Sequence, residues 1–365
     1  MSYGMLLNIN GVDINFDSKF TAYKLLKSIN TANLFHPNKN EFIERNVWVN
    51  TGVVIPESYN YLVMLSRGDC YLTYSDTWSD GKTYRLVTNS GFRYQMNAKR
   101  EIWASYFCGG SDDYNYIDQM IWILIYPEIK PHGLYGIGFN GIGEGFSGIT
   151  DIDDFTSVVW SGDVYITPKG ISPIDINYNF DKKMLCFFYW EDSNITMTQM
   201  AADTDWSIGG YDSYGRYYAC NSEGDHTNLK AKMVIFGEKS LVAQEFGFEL
   251  YNENEQLVFN GSTGVFHQPS MVETSILSIN QEIFVPKIKR PMINPRSIGG
   301  IKYELTRPGG NRFLYDISFS NTGSTLIVRR GVKNPIDRSR HYAGSFFSEI
   351  SYPVLDASYY FNFEN

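Results

Sequence analysis

Residues that carry reaction chemistry are sparse in this sequence. It has four cysteines, Cys70, Cys108, Cys186 and Cys220, and five histidines, His36, His132, His226, His267 and His341. No two cysteines stand in a CxxC spacing, which excludes a zinc ribbon or a thioredoxin-like dithiol. Scattered thiols in a chain of this length read as free and buried. No HExxH occurs and no two histidines are close enough in sequence to share a metal ion, so each reads as a surface or turn residue. A GxSxG elbow and a Cys–His arrangement are also missing. No catalytic residue, cofactor or metal is expected. The longest apolar run, Met120 to Tyr126, is too short to cross a bilayer. The amino terminus has no basic-plus-apolar leader, so the chain reads as a soluble product of a reducing cytoplasm.

Two patterns look like chemistry and have simpler explanations. Gly136-Ile137-Gly138-Phe139-Asn140-Gly141 is a literal GxGxxG. A dinucleotide site needs a helix to follow directly, so that its amides point at the pyrophosphate. Here Gly143, Gly145 and Gly148 follow, too much glycine for a helix, and the segment reads as a turn. The acidic groups Asp112-Asp113, Asp151/Asp153/Asp154 and Asp203/Asp205 with Asp212 lack the Gly and terminal Glu of an EF-hand and read as Asx turns.

Aromatic residues are abundant: 16% of the chain, with 27 Tyr and 24 Phe, against 43% apolar and 19% charged residues overall. Flat rings suit a pleated surface, and Tyr suits wet contact faces. One aromatic pattern recurs. Tyr3-Gly4 opens a short apolar strand, Asn10-Gly11 makes a turn, and Ile14 and Phe16 lie on a second strand before Ser18. Phe246-Gly247 leads through Leu250-Tyr251 to Val258-Phe259-Asn260-Gly261-Ser262, and a looser version starts at Tyr135-Gly136. Each reads as a β-hairpin. The approaches to the later two also match: Tyr126-Pro127-Glu128 precedes one and Phe236-Gly237-Glu238 the other. A repeated junction of this kind argues for tandem units, placed at 1–128, 129–243 and 244–365.

Between the hairpins run many short strand candidates separated by Gly, Asp, Asn and Ser. They include Val47–Val49, Val53–Ile55, Tyr61–Leu65, Tyr84–Val87, Phe92–Met96, Ile117–Tyr126, Met184–Trp190 and Phe313–Phe319. Residues 19–30 fit either a short helix or a strand, and Glu101–Asp118 reads as irregular. The expected fold is all-β: two or three tandem β-sandwich-like domains with few short helices.

The net charge of −9 disfavours nucleic acid as a partner. It is unevenly spread. From Lys287 to Arg340, twelve Lys/Arg face three acidic residues, a local +9 that leaves −18 elsewhere. Arg329, Arg330, Lys333, Arg338 and Arg340 are therefore candidates for docking on an acidic partner. The Trp and Tyr residues offer a second reading, as platforms for sugar rings. Trp78, Trp103-Tyr106 and Tyr211/Tyr214/Tyr217/Tyr218 are the candidates for a carbohydrate-binding module or a surface-glycan hydrolase, the latter needing two facing carboxylates.

The opening from Met1-Ser2-Tyr3-Gly4 to Phe16-Asp17-Ser18 resembles that of a family of bacteriophage tail proteins, small β-rich virion components associated with tail tips and tail fibres. The copy at Phe246–Ser262 is similar but lacks the Asp, and the middle copy lacks the Phe-Asp-Ser ending. The resemblance implies a non-enzymatic virion structural protein that mediates protein–protein assembly at the tail tip or fibre attachment region. It implies other tail proteins and further copies of the chain as partners, a bacterial surface receptor or glycan as a further contact, and residence in the tail after synthesis in the host cytoplasm.

Overall fold

The structure is a computed structural model. It describes residues 5–9, 12–16, 23–30, 34–35, 47–57, 59–65, 71–77, 81, 83–108, 120–127, 136–139, 147–150, 156–176, 185–200, 216–237, 249–251, 257–260, 264–266, 269–304, 312–336, 338–339, 345–348 and 351–363. The described residues form several mainly antiparallel sheets joined by turns and short 3-10 segments such as Pro173–Ile176 and Ala357–Tyr359.

Four sheets pack in succession. In the outermost, Trp48–Val54 pairs with Glu101–Cys108, which pairs with Thr83–Met96; Tyr71–Thr77 also joins Thr83–Met96. Next lies a three-stranded sheet in which Met120–Pro127 is flanked by Lys24–Asn30 and Tyr59–Leu65. Beyond it is a six-stranded sheet, ordered Ser157–Ile166, Leu229–Gly237, Leu185–Tyr189, Pro291–Ile293, Ser351–Asp356, Ser270–Glu273. The last sheet has eight strands, with Arg312–Asn321 central among Asp192–Met200, Gly299–Glu304 and Leu326–Ile336.

The inner two sheets are covered on both faces, which explains their sequences. Side chains alternate along a strand, so a strand with one wet face alternates apolar and polar residues. Met120–Pro127 does not. Ile121, Ile123 and Ile125 enter one core with Val53, Phe92 and Ile102, while Trp122 and Leu124 enter a second with Leu62 and Met64. Leu185–Trp190 behaves alike. Leu185, Phe187 and Tyr189 join the second core, and Cys186, Phe188 and Trp190 join a third with Ile293, Ile317 and Phe319. Full burial of each such side chain contributes roughly 1.5–3 kcal/mol relative to exposure. These runs are therefore the main source of cohesion between layers.

Several strands run through residues that read as turns. Tyr84–Val87 and Phe92–Met96 belong to one 14-residue strand, Thr83–Met96, and Asn89-Ser90-Gly91 lies inside it, paired across to Tyr71, Cys108 and Phe107. Val47–Val49 and Val53–Ile55 merge likewise; Gly52, at φ +69°, sits at a register shift between Asn50 and Val53. Residues 24–30 form a strand rather than a helix. Glu101–Cys108 is also a strand, because Ile102 and Ala104, two apart, fill the first core while Glu101 and Trp103 face the other way. The remainder of that stretch, from residue 109, lies outside the described residues.

Among the described residues one strand topology is used three times, once in each of the segments 1–128, 129–243 and 244–365. In each, the first strand after the hairpin and a later inner strand flank the last strand, all antiparallel. The triplets are Lys24–Asn30/Met120–Pro127/Tyr59–Leu65, Ser157–Ile166/Leu229–Gly237/Leu185–Tyr189 and Ser270–Glu273/Ser351–Asp356/Pro291–Ile293. Strands on either side of residue 243 are neighbours in both large sheets, where Phe188 pairs with Ile293 and Met197 with Phe319. The segments read as 129–243 and 244–365 thus meet through main-chain ladders, whereas 1–128 meets them mainly face to face through the second core.

Candidate assembly site

Three of the five basic candidates share one strand, Leu326–Ile336. Arg329 is half-buried, and its Nη1 donates to Oδ1 of Asn280 at 2.7 Å. Asn280 adopts φ +67° and donates its own amide to Val328 O at 2.8 Å, so the acceptor for Arg329 is held by the main chain. Arg330 is exposed, with its guanidinium 5.5 Å from the ring centre of Tyr315. A bulge sets its spacing from Lys333. Tyr315 and Ile317, two apart, pair with Lys333 and Arg330, three apart. The amide of Lys333 donates to Gly224 O at 3.1 Å.

The other two do not join that strand. Arg338 pairs in parallel with Leu86 of the outermost sheet, and Ser339 with Val87. The carboxy-terminal segment therefore returns to the first unit. Arg340 lies outside the described residues.

The aromatic candidates for sugar stacking divide by burial. Tyr217 and Tyr218 are 4% and 8% exposed. Tyr218 stacks on the imidazole of His226, with ring centres 4.5 Å apart. Tyr217 packs on Phe188 at 4.7 Å inside the third core. Burial pushes the Tyr217 hydroxyl well above its ordinary range and the neighbouring Cys186 thiol up to about 12. Neither tyrosine presents a face to solvent. Trp103 is half-buried; Trp78, Tyr211, Tyr214, the acidic groups near residues 112, 151 and 203, and the Tyr106 side chain lie outside what is described. Among the described residues no three His, Cys, Asp or Glu side chains are placed to hold a metal ion.

The described part of the GxGxxG segment, Gly136–Phe139, is a strand. Gly136 pairs with Thr150 and Gly138 with Gly148 in an antiparallel ladder, and residues 140–146 lie outside the described residues. This hairpin is the second of three. The first pairs Met5–Ile9 with Val12–Phe16, leaving Asn10-Gly11 between the paired ends Ile9 and Val12. The third pairs Glu249–Tyr251 with Leu257–Asn260.

The chain segments leaving these hairpins converge. The amide of Tyr23 donates to Phe266 O at 3.4 Å, that of Phe266 to Thr156 O at 2.8 Å, and that of Thr156 to Tyr23 O at 3.0 Å. Each segment gives one hydrogen bond and accepts one, closing a ring of three. Aromatic side chains lock it: Phe266 stands edge-on to Tyr23 at 5.5 Å, to Phe236 at 5.1 Å and to Phe187 at 5.6 Å. Sequence reading identified the hairpins but not this meeting point. The available signal was the short run between each hairpin and the strand that follows it: Phe16 to Lys24, Thr150 to Ser157 and Asn260 to Ser270.

No helix among the described residues is long and apolar enough to cross a membrane, which says nothing of a β-barrel. Comparisons with protein families, with curated proteins and with solved structures find no match to this chain.

Proposed function

We propose that this chain is a structural component of a bacteriophage tail, working by surface fit at the tail tip or fibre attachment region and not by catalysis. One observation carries the reading. The hairpin whose opening resembles that tail family occurs three times, each time ahead of the same three-stranded arrangement. Stacked β-units with both inner sheets buried make a stiff body, and such a body works through its edges and outer faces. Arg329, Arg330 and Lys333 are the proposed contact with an acidic neighbour, and further tail proteins and copies of the chain are the proposed partners.

The test is to purify particles from the phage that encodes the chain and to locate the chain in them by mass spectrometry and imaging. The expected result is its presence in the tail. A chain that stays in the lysate while tails assemble without it would end the proposal. Reversing charge at Arg329→Glu and Arg330→Glu probes the docking face. Assembly is expected to weaken, most at low ionic strength where exposed charges are least screened. Unchanged assembly at moderate salt would remove these residues from the interface.

A further inference from the structure

The three hairpins are tethered to a common point, and that tethering selects a kind of partner. Tyr23, Thr156 and Phe266 stand seven, six and six residues beyond Phe16, Thr150 and Asn260, the last paired residues of their hairpins. Six or seven extended residues reach no more than about 25 Å, so all three hairpins are tethered near one ring. The ring bonds run in one direction, Tyr23 to Phe266 to Thr156 and back to Tyr23. A closed ring of like bonds between three like segments is what a threefold axis produces, here within one chain.

The symmetry is local. Units two and three are fused through Phe188–Ile293 and Met197–Phe319, while unit one is attached by packing and by the Arg338–Leu86 pairing. Away from the ring, therefore, the three units are not equivalent. The ring thus tethers one motif three times, and the pairing of the units beyond it is asymmetric.

We infer that the three tethered hairpins seat on a homotrimeric protein, one copy of this chain per trimer, with one hairpin on each subunit and the ring on the trimer axis. A homotrimer offers three identical sites about an axis. One chain with three tethered hairpins engages all of them, and linking the contacts raises binding by the effective concentration of the second and third. A partner with one site, or a twofold dimer, leaves at least one hairpin unused. The inference rests on the assembly role proposed above and adds the symmetry of the neighbour.

The experiment is a copy-number and imaging measurement on purified particles, backed by three variants. In the particle, the subunit touching the hairpins is expected at three copies per copy of this chain, with its threefold axis through the ring. Replacing residues 5–16, 136–150 or 249–260 by Gly/Ser of equal length should each leave the β-sheet circular dichroism in place. Each should lower incorporation on the order of 10²-fold, the scale of losing one linked contact, and by similar amounts. A ratio other than one to three, or loss confined to one of the three replacements, overturns the inference and leaves the tail role standing. Absence of the chain from wild-type particles overturns both. The stoichiometry is read on the unaltered chain, so a replacement that fails to fold does not shield the idea.

Discussion

Phe236→Ala should reveal whether the layers unfold together. Phe236 is 0% exposed in the second core, on the last strand of unit two. Its ring meets Phe187 edge-on at 5.8 Å, Phe266 at 5.1 Å and Tyr360 at 5.2 Å. Phe266 in turn touches Tyr23, so Phe236 stands one ring away from unit one and shares the second core with it. Truncating a buried Phe costs roughly 3–5 kcal/mol, because the lost transfer energy is joined by a cavity that only partly collapses. That cost is a large share of the 5–15 kcal/mol that typically separates folded from unfolded protein. The cavity also lies where unit one adheres to the rest, so the loss should fall unevenly. Urea unfolding followed by tryptophan fluorescence reads this, since Trp122 borders the second core and Trp190 the third. The expected outcome is an earlier first transition, carried by unit one, with a smaller slope than the single transition of the wild type. Phe188→Ala, equally buried but inside the third core, should shift the main transition without splitting it. A loss below about 1 kcal/mol for Phe236→Ala, far under the usual cost of such a truncation, would refute the idea that this core joins the units.

Other expectations follow from single residues. Alkaline pH should destabilise the fold. Burial raises Cys186 to about 12 and also raises Cys220, Tyr23 and Tyr352. The unfolded chain releases these protons first, so stability is intact below pH 9 and falls as pH rises beyond it, by about 1.4 kcal/mol per unit per group at most; thermal melts at pH 7, 9 and 10.5 would show it, and a flat profile would contradict it. The same burial should keep Cys186 and Cys220 unreactive toward an aromatic disulfide reagent at pH 8 until urea is added, which counting thiols before and after unfolding would check. Gly170→Ala should cost well over 1 kcal/mol, because φ is +72° and a Cβ there would sit 2.8 Å from the Tyr218 ring and 3.0 Å from Tyr217 O. Gly81→Ala, at φ +75° with nothing within 4 Å, should cost only the conformational part. Equal effects in the two variants would undo the steric argument.

What the sequence discloses and what it hides have physical reasons. The hairpins are legible because Asn-Gly and aromatic-Gly steps are local signals that do not depend on distant partners. Burial on both faces is legible too, in the unbroken apolar runs at Ile121–Ile125 and Leu185–Trp190. Turn residues mislead where a strand spans two neighbours. Asn89-Ser90-Gly91 looks like a break, yet Thr83–Met96 pairs with Tyr71–Thr77 on its first half and with Glu101–Cys108 on its second, and the small residues lie at the handover. The edge-to-edge joining of units two and three was not legible, because a strand's choice of neighbour depends on main-chain groups that every residue carries. At the candidate site, the basic composition could be read directly. The bulge that spaces Arg330 from Lys333 could not, nor could the Asn280 that holds Arg329 from 49 residues away.

The two ways of joining units make different demands on the ring. Separating units two and three breaks main-chain bonds at Phe188–Ile293 and Met197–Phe319 and opens the third core. Unit one is held by face packing of Leu25, Leu62, Met64, Trp122 and Leu124, which resists separation but sets position only through side-chain shape. Directional bonds have to supply the register. The ring supplies three, and the Arg338–Leu86 and Ser339–Val87 pairing supplies a second anchor from the far end of the chain. With both anchors in place, unit one is fixed against sliding across the apolar face. Tyr23, the point to which the first hairpin is tethered, then keeps a set position relative to Thr156 and Phe266.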